Sequence, residues 1–461
     1  MLRTCALLTA AVLLAGSQAS QPRSVSLVVA NGTVVTVDSA RRVIARGSVA
    51  IDGRDIVAVD SSEAIAAAYR GRETIDAAGS VVMPGLINTH THAPMVLFRG
   101  LADDLALMEW LQKYIFPAEA KTVSPEFVRV GTRLAALEMI ESGTTAYADM
   151  YYFEEEIGRA TKAAGLRGVL GETIIQFPVP DAKTPAESLA RTERFAREFA
   201  NDDLITPAVA PHAMYTLDAE TLKASRALAD RLNLPVLIHL AETADEVKTS
   251  QEKYKTSPTA FLESLSFFGP RTIAAHGVHV TPDDIAILAK RRVGVSHNPE
   301  SNMKLASGTA PVEAMRKAGV AVGLGTDGAA SNNDLDMFEA MRQAAFLHKL
   351  VSGDPRAIPA PVALEMATID GARVLGMEKS IGSLEPGKRA DLLIVSMASA
   401  RQTPLYDPVS HLVYVTRGDD VRTTIVNGRV LMRDRKVLTL DARQVLADAR
   451  AMSDKVRAAV K

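Results

Sequence analysis

Cysteine is almost absent from this sequence: Cys5 is the only one in 461 residues, and it precedes an apolar run at the extreme N-terminus. The mature chain can therefore form no disulfide and offers no thiolate ligand, so any metal must be held by histidine and carboxylate. That excludes zinc sites in which one His and two Cys bind around a Pro-Cys-x-x-Cys turn. An excess of one charge is lacking too. The 52 Lys and Arg against 54 Asp and Glu leave a net charge of -2, without a basic block or an acidic tail, so no nucleic-acid partner is expected. The N-terminal apolar run, Ala6 to Ala15, falls well short of the ~20 residues that a membrane-spanning helix needs. With Arg3 before it and Ser17 and Ala19 after it, residues 1–19 read as a cleavable signal peptide cut after Ala19. A retained anchor is the alternative. The expected product is a periplasmic or extracellular protein with no stable membrane anchor; without the signal it would be cytoplasmic. No twin-arginine pair precedes the run, so export unfolded, with metal acquired outside, is expected.

Residues 20–80 carry short β-rich runs, SLVVANGTVVTVD and GSVAIDGRDIVAVD, broken by Asn-Gly and Asp-Gly turn pairs. Residues 385–440 carry the same signature in ADLLIVS, HLVYVTR and RTTIVNGRVLMRDRKVLTL. Two distant stretches of like character predict one β-sandwich made from both chain ends around a large insertion. The last segment, 441–461, is rich in Ala, Arg and Lys and predicts a surface helix.

Between them, residues 81–384 alternate short apolar strands with long amphipathic helices, the pattern of parallel βα units. Eight strands are expected: VVMPGLINTHTH from Val81, TTAYADMY from Thr144, RGVLGETII from Arg167, TPAVAPHAMY from Thr206, PVLIHLAE from Pro235, TIAAHGVHV from Thr272, VGVSHNPES from Val293 and VAVGLGTD from Val320. Eight units fit a closed (β/α)8 barrel, whose chemistry sits at the carboxyl ends of its strands. A doubly wound open sheet is the alternative, but no Gly-rich phosphate turn follows the first strand.

The polar residues fall at those ends. His90 and His92, two apart on a strand, point to one side and can share an ion, although alone they equally fit hydrogen-bonded strand residues. The fourth strand brings His212, the fifth His239 and Glu242, the sixth His276 and the eighth Asp327. Neutral imidazoles with one carboxylate suit a divalent cation such as zinc or iron, with a position left for water.

HTH after an apolar strand, HLAE, AHGVH and GLGTDGAASNN resemble the metal-dependent amidohydrolase superfamily, in particular its deaminase branch. The resemblance covers nearly the whole mature chain, including SLEPGKRADLLIV where the sandwich resumes. It implies that His90, His92, His239 and Asp327 are metal ligands, with zinc expected and iron the alternative. It implies that Glu242, His276 and Asp327 handle protons as water attacks the substrate. Two-metal relatives carry a bridging carboxylated lysine on the fourth strand; TPAVAPHAMY has none, which favours a single ion.

Within that branch, THAPMVLFRGLADD, EWLQKYIFPAE, PHAMYT, NPESNMKLASGTAPV and GTDGAASNNDLDMFEAMR resemble the 5-methylthioadenosine/S-adenosylhomocysteine deaminases. The stretches Lys304 to Ser307 and Asn332 to Met337 are the most specific. The resemblance implies a small-molecule substrate, an adenosine-type nucleoside whose amino group is replaced by an oxo group. Glu119 would bind the ribose hydroxyls, His212 the ribose or its substituent, and Trp110, the only tryptophan, would wall the pocket. A carboxylate can accept two hydrogen bonds from a vicinal diol and an indole offers a flat apolar face. Glu119 could instead be a helix-start carboxylate and Trp110 a core residue; Ser301 and Asn302, after the seventh strand, could reach the substrate or cap a helix start. Some members of the group place an arginine after the third strand to meet the far end of the substrate; ETIIQFPVPDAKTP has none, which favours small substituents. Deamination or dechlorination of another ring (guanine, cytosine, a pterin or an s-triazine) is the alternative activity, and an inactive barrel serving as a binding or scaffold protein the alternative class. The resemblance also leaves a homo-oligomer open. His279 and His297 are unassigned, and His348 and His411 read as surface or packing residues.

Overall fold

The computed structural model describes residues 21–460, so the signal-peptide reading of residues 1–19 lies outside the described residues. The chain begins with Arg23–Val35 (β1), Val43–Asp52 (β2), Asp55–Ser61 (β3), Tyr69–Asp76 (β4) and Ser80–Pro84 (β5). The barrel strands follow: Leu86–Thr91 (β6), Thr144–Tyr151 (β7), Arg167–Ile174 (β8), Ile205–Pro211 (β9), Val236–Leu240 (β10), Thr272–His276 (β11), Gly294–His297 (β12) and Ala321–Leu324 (β13). Leu392–Ser396 (β14), Val421–Val426 (β15), Arg429–Arg433 (β16) and Lys436–Val437 (β17) complete the set.

The eight barrel strands pair in parallel in sequence order. Their residues are buried on both faces, as expected of strands covered by helices outside and filled by side chains inside. β13 returns beside β6: Thr89 donates to the carbonyl of Leu324 at 2.9 Å, and the Asp327 amide to the carbonyl of His90 at 3.0 Å. Many of the helices around the barrel start at a capping hydroxyl or carboxylate, among them Ser124, Thr184, Asp218, Thr243, Ser257 and Thr281. The expected (β/α)8 barrel is what forms.

Strands from both chain ends make a nine-stranded sheet in the order β17-β16-β15-β14-β5-β1-β2-β3, with β4 beside β1. Leu27, Val49, Ile51, Ile56, Val82, Leu392, Ile394 and Ile425 share one apolar core there. The turn pairs predict an antiparallel sheet; the hairpins β2–β3 and β15–β16 are antiparallel, but β1 runs parallel to β4 and β5. The helix Ser62–Ala68 is the cause, because a helical crossover sends β4 in the same direction as β3.

The stretch Val81–His92, read as one strand, is two. β5 pairs with β1 and β14 in the chain-end sheet, while β6 pairs with β7 in the barrel. The break falls at Gly85, where a Cβ would come within 2.1 Å of the Thr145 hydroxyl. Only glycine permits that approach. Arg167, at the start of β8, reaches Asp391 just before β14 at 3.0 and 3.3 Å and ties the barrel to the sheet. The closing helix, Ala442–Val460, buries Val445, Ala449, Met452 and Val456, the stripe of an amphipathic helix, and packs on the helix Pro125–Ser142.

Candidate metal centre and active-site cavity

His92 and His239 are each aimed by what holds the other ring nitrogen. His92 Nδ1 lies 2.7 Å from the carbonyl oxygen of Met150, and His239 Nδ1 lies 2.9 Å from that of His212. A carbonyl only accepts, so Nδ1 carries the proton in both rings and Nε2 of the neutral imidazole presents a lone pair. Those two Nε2 atoms lie 3.3 Å apart. His90 Nε2 is 3.4 Å and His92 Nε2 3.3 Å from Asp327 Oδ1, and Asp327 Oδ2 accepts a 2.6 Å bond from the Ser301 hydroxyl. The strand-end backbone is bent to achieve this: His276 and Asp327 adopt φ of 74° and 64°, a left-handed conformation that side chains with a Cβ rarely take. Gly325 allows β13 to come close, since a Cβ there would lie 2.9 Å from the His90 amide.

Burial keeps His90 and His239 neutral. It pushes His90 down to about 4 against the pull of Asp327, and it takes His239 well below the ordinary imidazole value, helped by the neighbouring rings. Asp327 goes the other way: burial alone would raise it, but His90, His92 and His276 beside it hold it well below the usual carboxylate range. Neutral imidazoles beside an ionised carboxylate form the donor set a divalent cation requires. The His90, His92 and His239 nitrogens lie within 4.8 Å of one another, as do ligand atoms of His90, His276 and Asp327. His90 Nε2 is fully buried yet has no hydrogen-bond partner. An orphaned donor atom at the focus of the cluster fits a cation there.

Beside the cluster, His276 Nδ1 lies 2.9 Å from Asn302 Oδ1, and its Nε2 faces Glu242 Oε2 at 3.8 Å. Burial raises Glu242, with His276 opposing and Asp327 reinforcing. His276 is raised, because Glu242 and Asp327 outweigh the lowering caused by burial. The Glu242 backbone is itself fixed: Glu246 accepts from the amides of Ala241 and Glu242 at 3.0 and 2.9 Å.

These groups floor a cavity of about 610 Å³ that also takes in Trp110, Glu119 and His212. Trp110 and Glu119 stand on one helical stretch, Leu107–Trp110 and Phe116–Thr122, interrupted by a π turn at Leu111–Ile115. That turn inserts a residue and rotates Phe116 and Glu119 toward the face that Trp110 occupies. Glu119 is buried. Tyr151 donates to its Oε1 at 2.8 Å, and Tyr152 lies 3.5 Å from its Oε2. Burial nonetheless pushes Glu119 up to about 7. His212, tied to Thr216 through Nδ1 at 3.1 Å, is driven down to about 3 by burial and by the other histidines.

All nine expected site residues, His90, His92, Trp110, Glu119, His212, His239, Glu242, His276 and Asp327, meet at this mouth. Ser301 and Asn302 do not cap a helix; they bond Asp327 and His276. His279 bonds the carbonyl of Ser307, and His297 pairs with the buried His348, both apart from the cluster. Sequence reasoning missed the Met150 and His212 carbonyls, Glu246, and the tyrosines that hold Glu119. Carbonyls leave no signal in a sequence, but Tyr151 and Tyr152 ending a barrel strand did.

Barrel, imidazole–carboxylate cluster and buried acid together mark a hydrolase, with a donor set that suits a divalent cation. The chain belongs to the amidohydrolase family, which matches it over residues 81–431. It is 46% identical over 431 residues to a 5-methylthioadenosine/S-adenosylhomocysteine deaminase of Syntrophobacter fumaroxidans, covering 94% of this chain and 98% of that one. It is also 46% identical to a 5'-deoxyadenosine deaminase of Methanosarcina acetivorans, over 93% and 98% of the two chains. Among solved structures it resembles an adenosine deaminase of Xanthomonas campestris with bound zinc. There the TM-score is 0.93 at 40% identity, and 95% of this chain and all of that one are covered.

Proposed function

We propose that this chain hydrolytically deaminates adenosine-type nucleosides, replacing the ring amino group with an oxo group and releasing ammonia. The observation that carries this is Glu119, a buried carboxylate sharing one cavity with the His–Asp cluster and Glu242. A ribose offers such a group two vicinal hydroxyls, both of which can donate to one carboxylate.

In this reading His90, His92, His239 and Asp327 hold one divalent cation, zinc with iron as the alternative; the absence of a lysine from β9 supports a single ion. Such a cation, when bound, lowers the pKa of water from near 15.7 to roughly 7. The protein's own groups then move the protons. Asp327, kept ionised, accepts one from the attacking water. Glu242, whose burial favours the protonated form, gives one to the ring nitrogen beside the carbon under attack, and His276 orients the water between them. Asp327 passes its proton to the amino group, the C–N bond breaks and ammonia leaves, and the proton still on the incoming oxygen returns to Glu242 as the oxo group forms. Water has supplied one oxygen and two hydrogens, so the atoms balance. Trp110 covers the substrate, and Glu119 and His212 hold its ribose.

The test is to follow ammonia and the ultraviolet change from amino to oxo ring with a panel of nucleosides and free bases. Ammonia from adenosine or 5'-methylthioadenosine is expected; ammonia only from guanine or cytosine would overturn the reading. Export is part of the proposal, supported by the run after Arg3 and the small residues ending at Ala19. N-terminal sequencing of the mature protein, expected to begin at Ser20, checks it.

A further inference from the structure

We propose that Lys304 is a positioning residue: its clasp on Asp103 and Asn333 fastens residues 100–110 over the cavity and so sets how firmly Trp110 covers the substrate. This deepens the nucleoside reading and rests on it for the substrate used in the test. The most group-specific stretches of the sequence, residues 304–307 and 332–337, supply no side chain to the His–Asp cluster. Instead, Lys304 Nζ bonds Asp103 Oδ1 at 2.5 Å and also Asn333 Oδ1, and the Asn333 amide donates to Asp103 Oδ1 at 3.4 Å. One ammonium thereby joins the segments that follow β6, β12 and β13. Lys304 holds the Asp103 carboxyl below its ordinary range, so the pair stays charged at neutral pH.

The clasp matters because little else holds the near end of this segment. Leu101, Ala102 and Leu105 touch the core. Among the described residues, however, the backbone of residues 100–106 makes no hydrogen bond beyond Phe98 and Trp110, and its only side-chain hydrogen bonds to other parts of the chain are those of Asp103. The short helix Leu107–Trp110 starts without a side-chain cap. The far end is anchored differently: Phe116–Thr122 packs on the closing helix, and Tyr151 holds Glu119. The π turn at Leu111–Ile115 separates the loosely held half, with Trp110, from the anchored half, with Glu119. A segment with so few bonds to the body of the protein opens locally at low cost. The Lys304 and Asp103 side chains are 21% and 38% exposed, so salt screens the pair and loosens the latch.

Trp110 is the only tryptophan, so its fluorescence reports this segment alone. The experiment compares acrylamide quenching of the zinc-loaded wild type, Lys304→Met, Lys304→Arg and Asp103→Asn at low and high salt, together with KM and kcat for adenosine. In Lys304→Met and Asp103→Asn quenching is expected to rise about two- to fivefold, the worth of a half-exposed ion pair, and KM by a similar factor, with kcat and zinc content retained. Lys304→Arg should restore the wild-type values. Salt should raise quenching in the wild type and not in Lys304→Met, and the double variant should match the single ones. Quenching of Trp110 unchanged in both single variants would overturn the latch. So would loss of zinc in Lys304→Met, which would place the role of Lys304 in holding Ser301 and Asn302 on Asp327 and His276. Absence of ammonia from adenosine would instead overturn the nucleoside reading, and the quenching would still decide the latch.

Discussion

Two groups of buried histidines sit at strand ends of the same barrel, and they differ in which nitrogen is held. At the cluster, His92 and His239 spend Nδ1 on backbone carbonyls and leave Nε2 free: that of His92 joins His90 at Asp327, and that of His239 lies 3.3 Å from that of His92. At the end of β12, His297 spends Nε2 on Nε2 of His348, 3.1 Å away on the helix Met337–Ser352. One pair is thereby opened to a third party and the other closed on itself. A buried histidine at a strand end is common to both. What makes a ligand is a backbone acceptor that fixes the far nitrogen and turns the near one outward.

The sharpest way to break this contrast is to remove a converging nitrogen. His239→Ala should abolish retention of stoichiometric metal, measured by elemental analysis after dialysis, and activity with it. Glu242→Gln comes next, with kcat expected to fall about 10²–10⁴-fold while metal content stays unchanged, separating proton delivery from ion binding. Glu119→Gln should raise KM for nucleosides roughly 10- to 100-fold, the worth of hydrogen bonds to a charged acceptor. It carries a pH signature. Burial places Glu119 at about 7, so below that it is protonated and accepts poorly, and above it is ionised. KM for nucleosides should therefore fall as pH rises through about 7, and the glutamine variant should lose that limb. The smallest effect belongs to the closed pair. His348→Ala leaves His297 without its partner and should lower stability by about 1–3 kcal/mol in denaturant titration, with metal content and kcat retained. Loss of metal in that variant would show the two groups to be one.

The barrel was legible because apolar runs alternate with helical stretches and because each polar residue of the site ends its own run. His90, His92, His212, His239, Glu242, His276 and Asp327 could be collected on that basis, and the family resemblance singled out four of them as ligands. The division of Val81–His92 was not, since residues on both sides of Gly85 are apolar and equally buried, and only strand pairing tells two sheets apart. Nor could hydrophobic pattern show Ser301 on Asp327 or Asn302 on His276, because a hydroxyl or amide after a strand reads the same whether it caps a helix or holds a catalytic group. The buried bonds of Arg191 to Glu172 and Asp181 escaped for a related reason: charge in a sequence reads as surface until its partner is known.

β5 has a consequence for how the molecule comes into being. On one edge it meets Thr33 and Val34, and on the other Leu392–Ser396, so the strand that leads directly into the barrel stays half-paired until almost the whole chain exists. Contacts of such long sequence separation form late, because the entropy of closing the intervening loop must be overcome first. A ribosome-bound chain ending before Leu392 would present the open edge of β5 to solvent, a template for mispairing with other chains. The last strands made are therefore the ones that shield the first, and truncation at the C-terminus should be felt at the opposite end of the sequence.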